Sequence, residues 1–321
     1  MDCGIPHNHA MHLLIPFASC PGEDCGAALR ALKLPHLQKL LARLQALPVD
    51  DGDALSLSPP HERALARALG LPVTDGLIPW AALEARQTLA IGGAWGLVTP
   101  CHWRIGSQQV AMDSAVLPDF SAEESQALLA AMQPYFAEDG IALHYRQPTR
   151  WLAQSDLFDA LATAALDRVA GRDIGQWLPT NLRAAKLRRL QSEMQMLLYN
   201  HPVNEARSAR GLPVVNAFWL SGTGALAPAE GVSTAEMPQS VASLRVAALA
   251  NDWAAWARAW QATDASECAV LLKAFDQGAA IQLTLCGECS AQTFVPASQG
   301  FLERLRRRFN RPSPRMILEA L

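Results

Sequence analysis

The residues best suited to chemistry are bunched in one stretch, HPVNEARSARGLPVVNAFWLSGTG, at positions 201–224. His201, Asn204, Arg207, Arg210, Gly211 and Asn216 are followed there by Ser221-Gly222-Thr223-Gly224. A guanidinium presents a planar fork of N–H donors that fits phosphate or carboxylate oxygens in pairs, and an asparagine amide adds neutral donors and an acceptor. Gly222 and Gly224 would let backbone N–H groups approach an anion closely, at the end of a buried-looking strand where many ligand sites form. The stretch therefore reads as an anion pocket made by His201, Asn204, Arg207, Asn216 and the SGTG turn, with Arg150 as a further member. The same residue types also cap helices and close turns, so a purely structural network is the competing reading.

Other constellations are thinner. Cys286-Gly287-Glu288-Cys289 is one CxxC with no second pair, whereas structural zinc needs four ligands. His7, His9 and His12 lie near Cys3 at spacings that suit zinc or nickel, but a loose leader explains them as well. Gly92-Gly93-Ala94-Trp95-Gly96 matches neither a P-loop nor a dinucleotide fingerprint and reads as a tight turn. Residues 300–321 carry six arginines against two glutamates, which suggests a basic terminal helix able to meet an acidic partner. There is no GxSxG elbow and no HExxH, so the common hydrolase and zincin assignments have no local basis.

The elements that would position these groups follow from periodicity. HLLIPFA at 12–18 reads as a buried strand, and LPHLQKLLARLQAL from Pro35 as a helix with Leu37, Leu40, Leu41 and Leu44 on one face. Further helices are expected over 60–69, 78–86, 155–169, 182–199 and 244–262, the last striped by Trp253, Trp256 and Trp260. Ser121 with Glu124 forms a capping box that opens a helix to about Ala137. Strands are expected at 94–99, 109–112, in IALHY and RWLA, in VVNAFWL, and at 280–286. Mixed central strands and amphipathic helices favour an α/β or α+β layered fold.

Composition excludes several classes. Half of the 321 residues are hydrophobic and 18% are charged, far from the make-up of an unfolded chain. A net charge of −3 supplies no global field toward nucleic acid or acidic membranes, so neither is an expected partner. The longest apolar runs fall short of the roughly 18 residues a bilayer span requires. Seven scattered cysteines and a leader without Lys or Arg lead us to expect reduced thiols and a cytoplasmic location.

The 201–224 stretch resembles part of the archaeal-type cofactor-independent phosphoglycerate mutases, which carry a similar order of HPVN, Arg, Gly, Asn, apolar strand and Gly-x-Gly. SAEESQALLAAMQPYF, DGIALHYRQPTRWLA and GRDIGQWLP resemble the preceding parts of the same domain, extending the likeness over about 119–224. Through LLIPFA, LPHLQKLLARL, TPCHW, DRVAGRDIGQWLP, LQSEMQMLLY and VNAFWLSGTG the whole chain is similar to bacterial regulatory proteins of the RpfE type. The resemblance implies an alkaline-phosphatase-like α/β core, 12–118 and 241–321, interrupted by a smaller α+β domain at 119–224. A leader at 1–11 and a linker at 225–240 complete the expected division.

The mutases use two divalent metals held by Asp and His clusters, and a Ser or Thr nucleophile. Where they place an Asp-Gly motif after the first strand, this chain has Ile15-Pro16-Phe17-Ala18; where they place Gly-Asp-His it has Cys286-Gly287-Glu288-Cys289. No histidine follows His201. The resemblance with these departures implies a catalytically degenerate relative with no cofactor, binding a phosphorylated small molecule or a protein partner. Two alternatives stand beside it. One is an active phosphotransferase using Mn or Zn on substitute ligands Asp24, His102, Cys286 and Glu288; the other is an interaction protein working through the basic C-terminal helix.

Overall fold

A computed structural model of the protein describes residues 11–106, 109–113, 117–227, 237–297 and 313–321. The expected leader with Cys3, His7 and His9, the centre of the expected linker, and the basic helix expected over 300–310 lie outside the described residues. The chain forms two compact units. The described residues up to 55, 59–69 and those from 237 onward make one; 56–58 and 70–227 make the other. The inserted unit thus begins near 70 rather than at 119. The physical reason is the strand at 94–101, which lies inside the inserted unit's sheet and cannot be separated from it.

The first unit opens with β1 (Met11–Ile15), α1 (Glu23–Ala31), α2 (Pro35–Leu41), β2 (Leu44–Ala46) and α3 (Pro60–Ala68). Proline at the first position starts both α2 and α3, where its missing N–H has no helical acceptor to lose. The leucine stripe extends to Leu44, yet α2 stops at Leu41, because 44–46 pair antiparallel with a later strand. Tertiary ladder bonds outweigh helical periodicity there.

The second unit contains α4 (Trp80–Leu89), β3 (Ala94–Cys101), β4 (Trp103–Ile105), β5 (Val110–Met112), α5 (Ala122–Glu138), β6 (Ala142–Gln147), β7 (Arg150–Gln154), α6 (Leu166–Val169), α7 (Ala185–Tyr199), α8 (Pro202–Ala209) and β8 (Ala217–Ala225). Its main sheet is antiparallel, ordered β6-β7-β3-β8. Val98, Trp151, Phe218 and Leu220 pack with α5 and α7 in one core, whereas Trp95, Leu97 and Leu152 pack with the alanines of α4 in another. The capping box holds as expected: Ser121 accepts from the Glu124 N–H (3.1 Å) and Glu124 accepts from the Ser121 N–H (3.3 Å). The helix expected over 155–169 is instead a short 3-10 turn at Asp156–Asp159 and the single turn α6.

The first unit resumes with β9 (Gln239–Ser240), α9 (Ala242–Leu249), α10 (Trp253–Thr263), α11 (Ala269–Asp276), β10 (Ile281–Cys286) and β11 (Ala291–Pro296), and closes with a helix at Pro314–Glu319. Its sheet order is β2-β11-β10-β1-β9, with β9, β1 and β10 parallel. Leu13 and Ile15 face a core shared with α1, α2 and the Trp256 and Trp260 stripe, while Leu14 and Cys286 face α3. The helix expected over 244–262 is two. Asn251 adopts φ 53°, and Asp252 caps α10 by accepting from the Ala255 N–H at 2.8 Å. Both units are mixed α and β, and among the described residues no helix is long and apolar enough to cross a membrane.

Candidate functional site

The polar residues of the 201–224 stretch are placed by α8 and β8, and their groups are engaged within the unit. His201 caps α8, its Nδ1 accepting from the Val203 N–H at 3.2 Å. The Asn204 amide donates to the carbonyls of Leu198 and Val215 and accepts from the Val215 N–H, each at 2.8 Å. Arg207, fully buried, donates from Nε to the Pro213 carbonyl (2.8 Å), from one terminal nitrogen to Glu124 (2.8 Å) and the Asp119 carbonyl (3.4 Å), and from the other to the Pro118 carbonyl (2.9 Å). Arg210 also bonds Glu124. Asn216 pairs with both backbone groups of Trp103 at 2.7 and 2.9 Å.

The SGTG segment is not a turn at a strand end but part of β8 itself. Opposite Trp95 to Leu97 the register slips by one residue, so the segment carries a β-bulge. Gly222 (φ 59°) and Gly224 (φ 144°) allow close approach, but to the chain: a Cβ at Gly224 would stand 3.0 Å from Pro79 Cβ and 3.1 Å from the Leu77 oxygen. Ser221 is buried within the same strand, and the Thr223 hydroxyl donates to the Leu161 carbonyl (2.5 Å) and accepts from Thr163 (2.9 Å). Arg150 bonds Glu84 (2.6 Å). The expected anion pocket therefore divides into separate internal networks, and the capping and turn reading describes these residues. Gly92 likewise closes a turn, its carbonyl accepting from the Trp95 indole at 3.1 Å.

The substitute metal ligands belong to different units. His102 lies in the second unit and donates from Nδ1 to the Val214 carbonyl at 2.8 Å. In the first unit Asp24 is exposed on the first turn of α1, Cys286 is fully buried at the end of β10, and Glu288 is half-buried in the next turn. Burial, assisted by the Asp50 charge, pushes the Cys286 thiol far up and keeps it protonated. Among the described residues no group of three or more His, Cys, Asp or Glu could hold a metal ion.

What does converge is at the carboxyl edge of the parallel strands, the place where open α/β sheets gather their functional groups. The Ala18 N–H donates to the Cys286 carbonyl at 2.8 Å, joining the ends of β1 and β10. The indole of Trp256 donates to the Phe17 carbonyl (2.9 Å) and that of Trp260 to the Ala18 carbonyl (3.1 Å), so the tryptophan stripe clamps this loop. From α3, His61 packs its ring against Phe17 with centroids 5.4 Å apart. Arg63, almost fully buried, donates to Asp50 (3.1 Å) and to the Cys289 carbonyl (3.0 Å), and Arg67 closes a second bond to Asp50 at 2.8 Å. Burial works against ionising Asp50, but Arg67 and Arg63 together hold its carboxyl below the usual range.

The sequence reading missed Asp50, Arg63 and Arg67. The signal is the i, i+4 arginine pair, which a helix over 60–69 places on one face. It also missed the pair Cys20 and Cys25, which flank Pro21-Gly22 at the start of α1.

No family model and no curated protein matches this chain. Among solved structures it is similar to a cofactor-independent phosphoglycerate mutase from Thermoplasma acidophilum, at 13% identity over 89% of this chain and 90% of that one, with a TM-score of 0.36. It is also similar to the PH0037 protein from Pyrococcus horikoshii, at 11% identity over 90% and 88% of the two chains, with a TM-score of 0.45. Neither likeness assigns a role to any side chain of this protein.

Proposed function

We propose that this chain is a regulatory or binding protein on a mutase-like scaffold, not a phosphotransferase. The sequence resemblance over 119–224 supports the scaffold, and one observation carries the rest. At the carboxyl edge of β1 and β10 the charged groups are engaged with one another: both oxygens of Asp50 are taken by Arg63 and Arg67, and Arg63 also holds the Cys289 carbonyl. Such a network organises a loop; it offers no free carboxylate to a cation and no activated nucleophile to a phosphoryl group.

Two divalent ions, when bound in such an enzyme, neutralise phosphoryl charge and activate the attacking oxygen. The donor set here does not fit them. Asp50 is saturated by two cations, the Cys286 thiol stays protonated in a dry strand end, and Asp24 stands exposed on α1. Calorimetric titration of untagged protein with Mn²⁺ and Zn²⁺ tests the reading. The expected outcome is no stoichiometric site; one or two tightly held ions per chain would overturn it.

A further inference from the structure

Cys20 and Cys25 are not used by the network above. Cys20 sits half-buried at the end of the loop that follows β1, packed against the core that contains the buried Cys25. Cys25 is the third residue of α1, and Pro21 and Gly22 turn the chain back between the two, with Gly22 at φ 104°. The two side chains are thus brought to the same end of α1 and pack in one cluster, and hydrogen bonding from Cys20 lowers the pKa of the Cys25 thiol. The loop has little freedom to separate them, because the carbonyls of Phe17 and Ala18 are held by Trp256 and Trp260 and the Ala18 N–H by Cys286.

We propose that Cys20 and Cys25 form a reversible dithiol–disulfide pair, oxidised by exchange with a low-molecular-weight disulfide. This goes beyond the regulatory reading and does not depend on it. The order of events follows from exposure. The accessible Cys20 sulfur attacks the external disulfide, forming a mixed disulfide and releasing one thiol that takes up the Cys20 proton. The Cys25 sulfur then attacks Cys20 Sγ, a new S–S bond forms, and the second small thiol leaves with the proton from Cys25. Two protein thiols and one external disulfide become one internal disulfide and two free thiols. The second step is favoured by position: Cys25 is packed in the same core as Cys20, and the backbone hydrogen bond from Cys20, which works against the effect of burial, does not depend on the proton that Cys20 Sγ gives up in the first step. Burial instead keeps the Cys286 thiol protonated.

The test is peptide mapping of the full chain after equilibration with oxidised glutathione, alkylation of the remaining thiols, and cleavage after Glu23, which lies between the two cysteines. The expected result is two fragments joined by a Cys20–Cys25 bond, released by a reducing agent, with neither sulfur alkylated. Cys25→Ser should instead retain a glutathione adduct on Cys20, and Cys20→Ser should leave Cys25 free for alkylation after denaturation. A wild-type chain that keeps both thiols, that holds a stable glutathione adduct on Cys20, or that joins either cysteine to Cys3 would overturn the proposal.

Discussion

Arg207 separates a ligand-binding side chain from a structural one. Its guanidinium is fully buried and makes four hydrogen bonds, three of them to backbone carbonyls, with Glu124 as counter-charge. Removing one member of a buried, hydrogen-bonded ion pair costs about 3–5 kcal/mol. Arg207→Ala is therefore expected to lower the unfolding free energy by that amount in denaturant titration; a variant as stable as the wild type but weaker in binding a phosphorylated ligand would restore the anion-pocket reading. His12 gives a pH prediction. Its Nε2 lies 2.9 Å from the Thr284 hydroxyl, and burial lowers its pKa from 6.5 to about 4. Between those values the unfolded chain takes up a proton that the folded chain refuses, so stability is complete above about pH 6.5 and declines as pH falls toward 4. His144 and His201, also lowered by burial, act in the same direction. Unfolding curves at a series of pH values should show the decline flattened in His12→Gln; an unchanged slope would contradict the assignment.

At the scale of elements, what was legible in the sequence was local chemistry, and what was hidden was long-range pairing. The Ser121 capping box, the proline starts of α2 and α3, and the strands β3, β7 and β10 were readable because a few adjacent residues determine them. The end of α2 was not, because β11 lies about 250 residues away and recruits Leu44 into its ladder. Helix α2 also has a cap that no sequence window contains. Asp264, in a π-helical turn at Asp264–Cys268, accepts from the N–H groups of His36 (3.2 Å) and Leu37 (2.8 Å), and from His36 Nδ1 at 3.0 Å. Loss of a buried cap costs about 1–2 kcal/mol, and somewhat more when its backbone donors are left unsatisfied. Asp264→Ala should lower the midpoint of thermal unfolding and speed amide exchange at His36 and Leu37, with Asp264→Asn closer to wild type. Unchanged exchange there would show that the cap is dispensable. The 201–224 stretch was legible as a set of polar residues but not as a site, since spacing does not reveal whether donors face solvent or the chain's own carbonyls.

For the whole molecule, the α/β layering was legible from the alternation of apolar strands and amphipathic helices, and the boundary of the inserted unit was not. Periodicity shows that 94–101 is a strand but not which sheet it joins, and β3 pairs with β7 and β8. At the strand edge of the first unit, Trp256 and Trp260 clamp the loop after β1, and Arg63 and Arg67 neutralise Asp50. Asp50→Ala would remove the carboxylate that the buried Arg63 pairs with, and the expected consequence is a loss of about 3–5 kcal/mol in unfolding free energy; an undiminished stability would mean the network does not organise this edge. The most direct measurement of the central claim is turnover. Untagged protein incubated with Mn²⁺ and a phosphoglycerate isomer should leave the isomer unconverted and release no inorganic phosphate, at any enzyme concentration. Metal-dependent interconversion that scales with protein and disappears in Asp50→Ala, with the fold retained by circular dichroism, would contradict it.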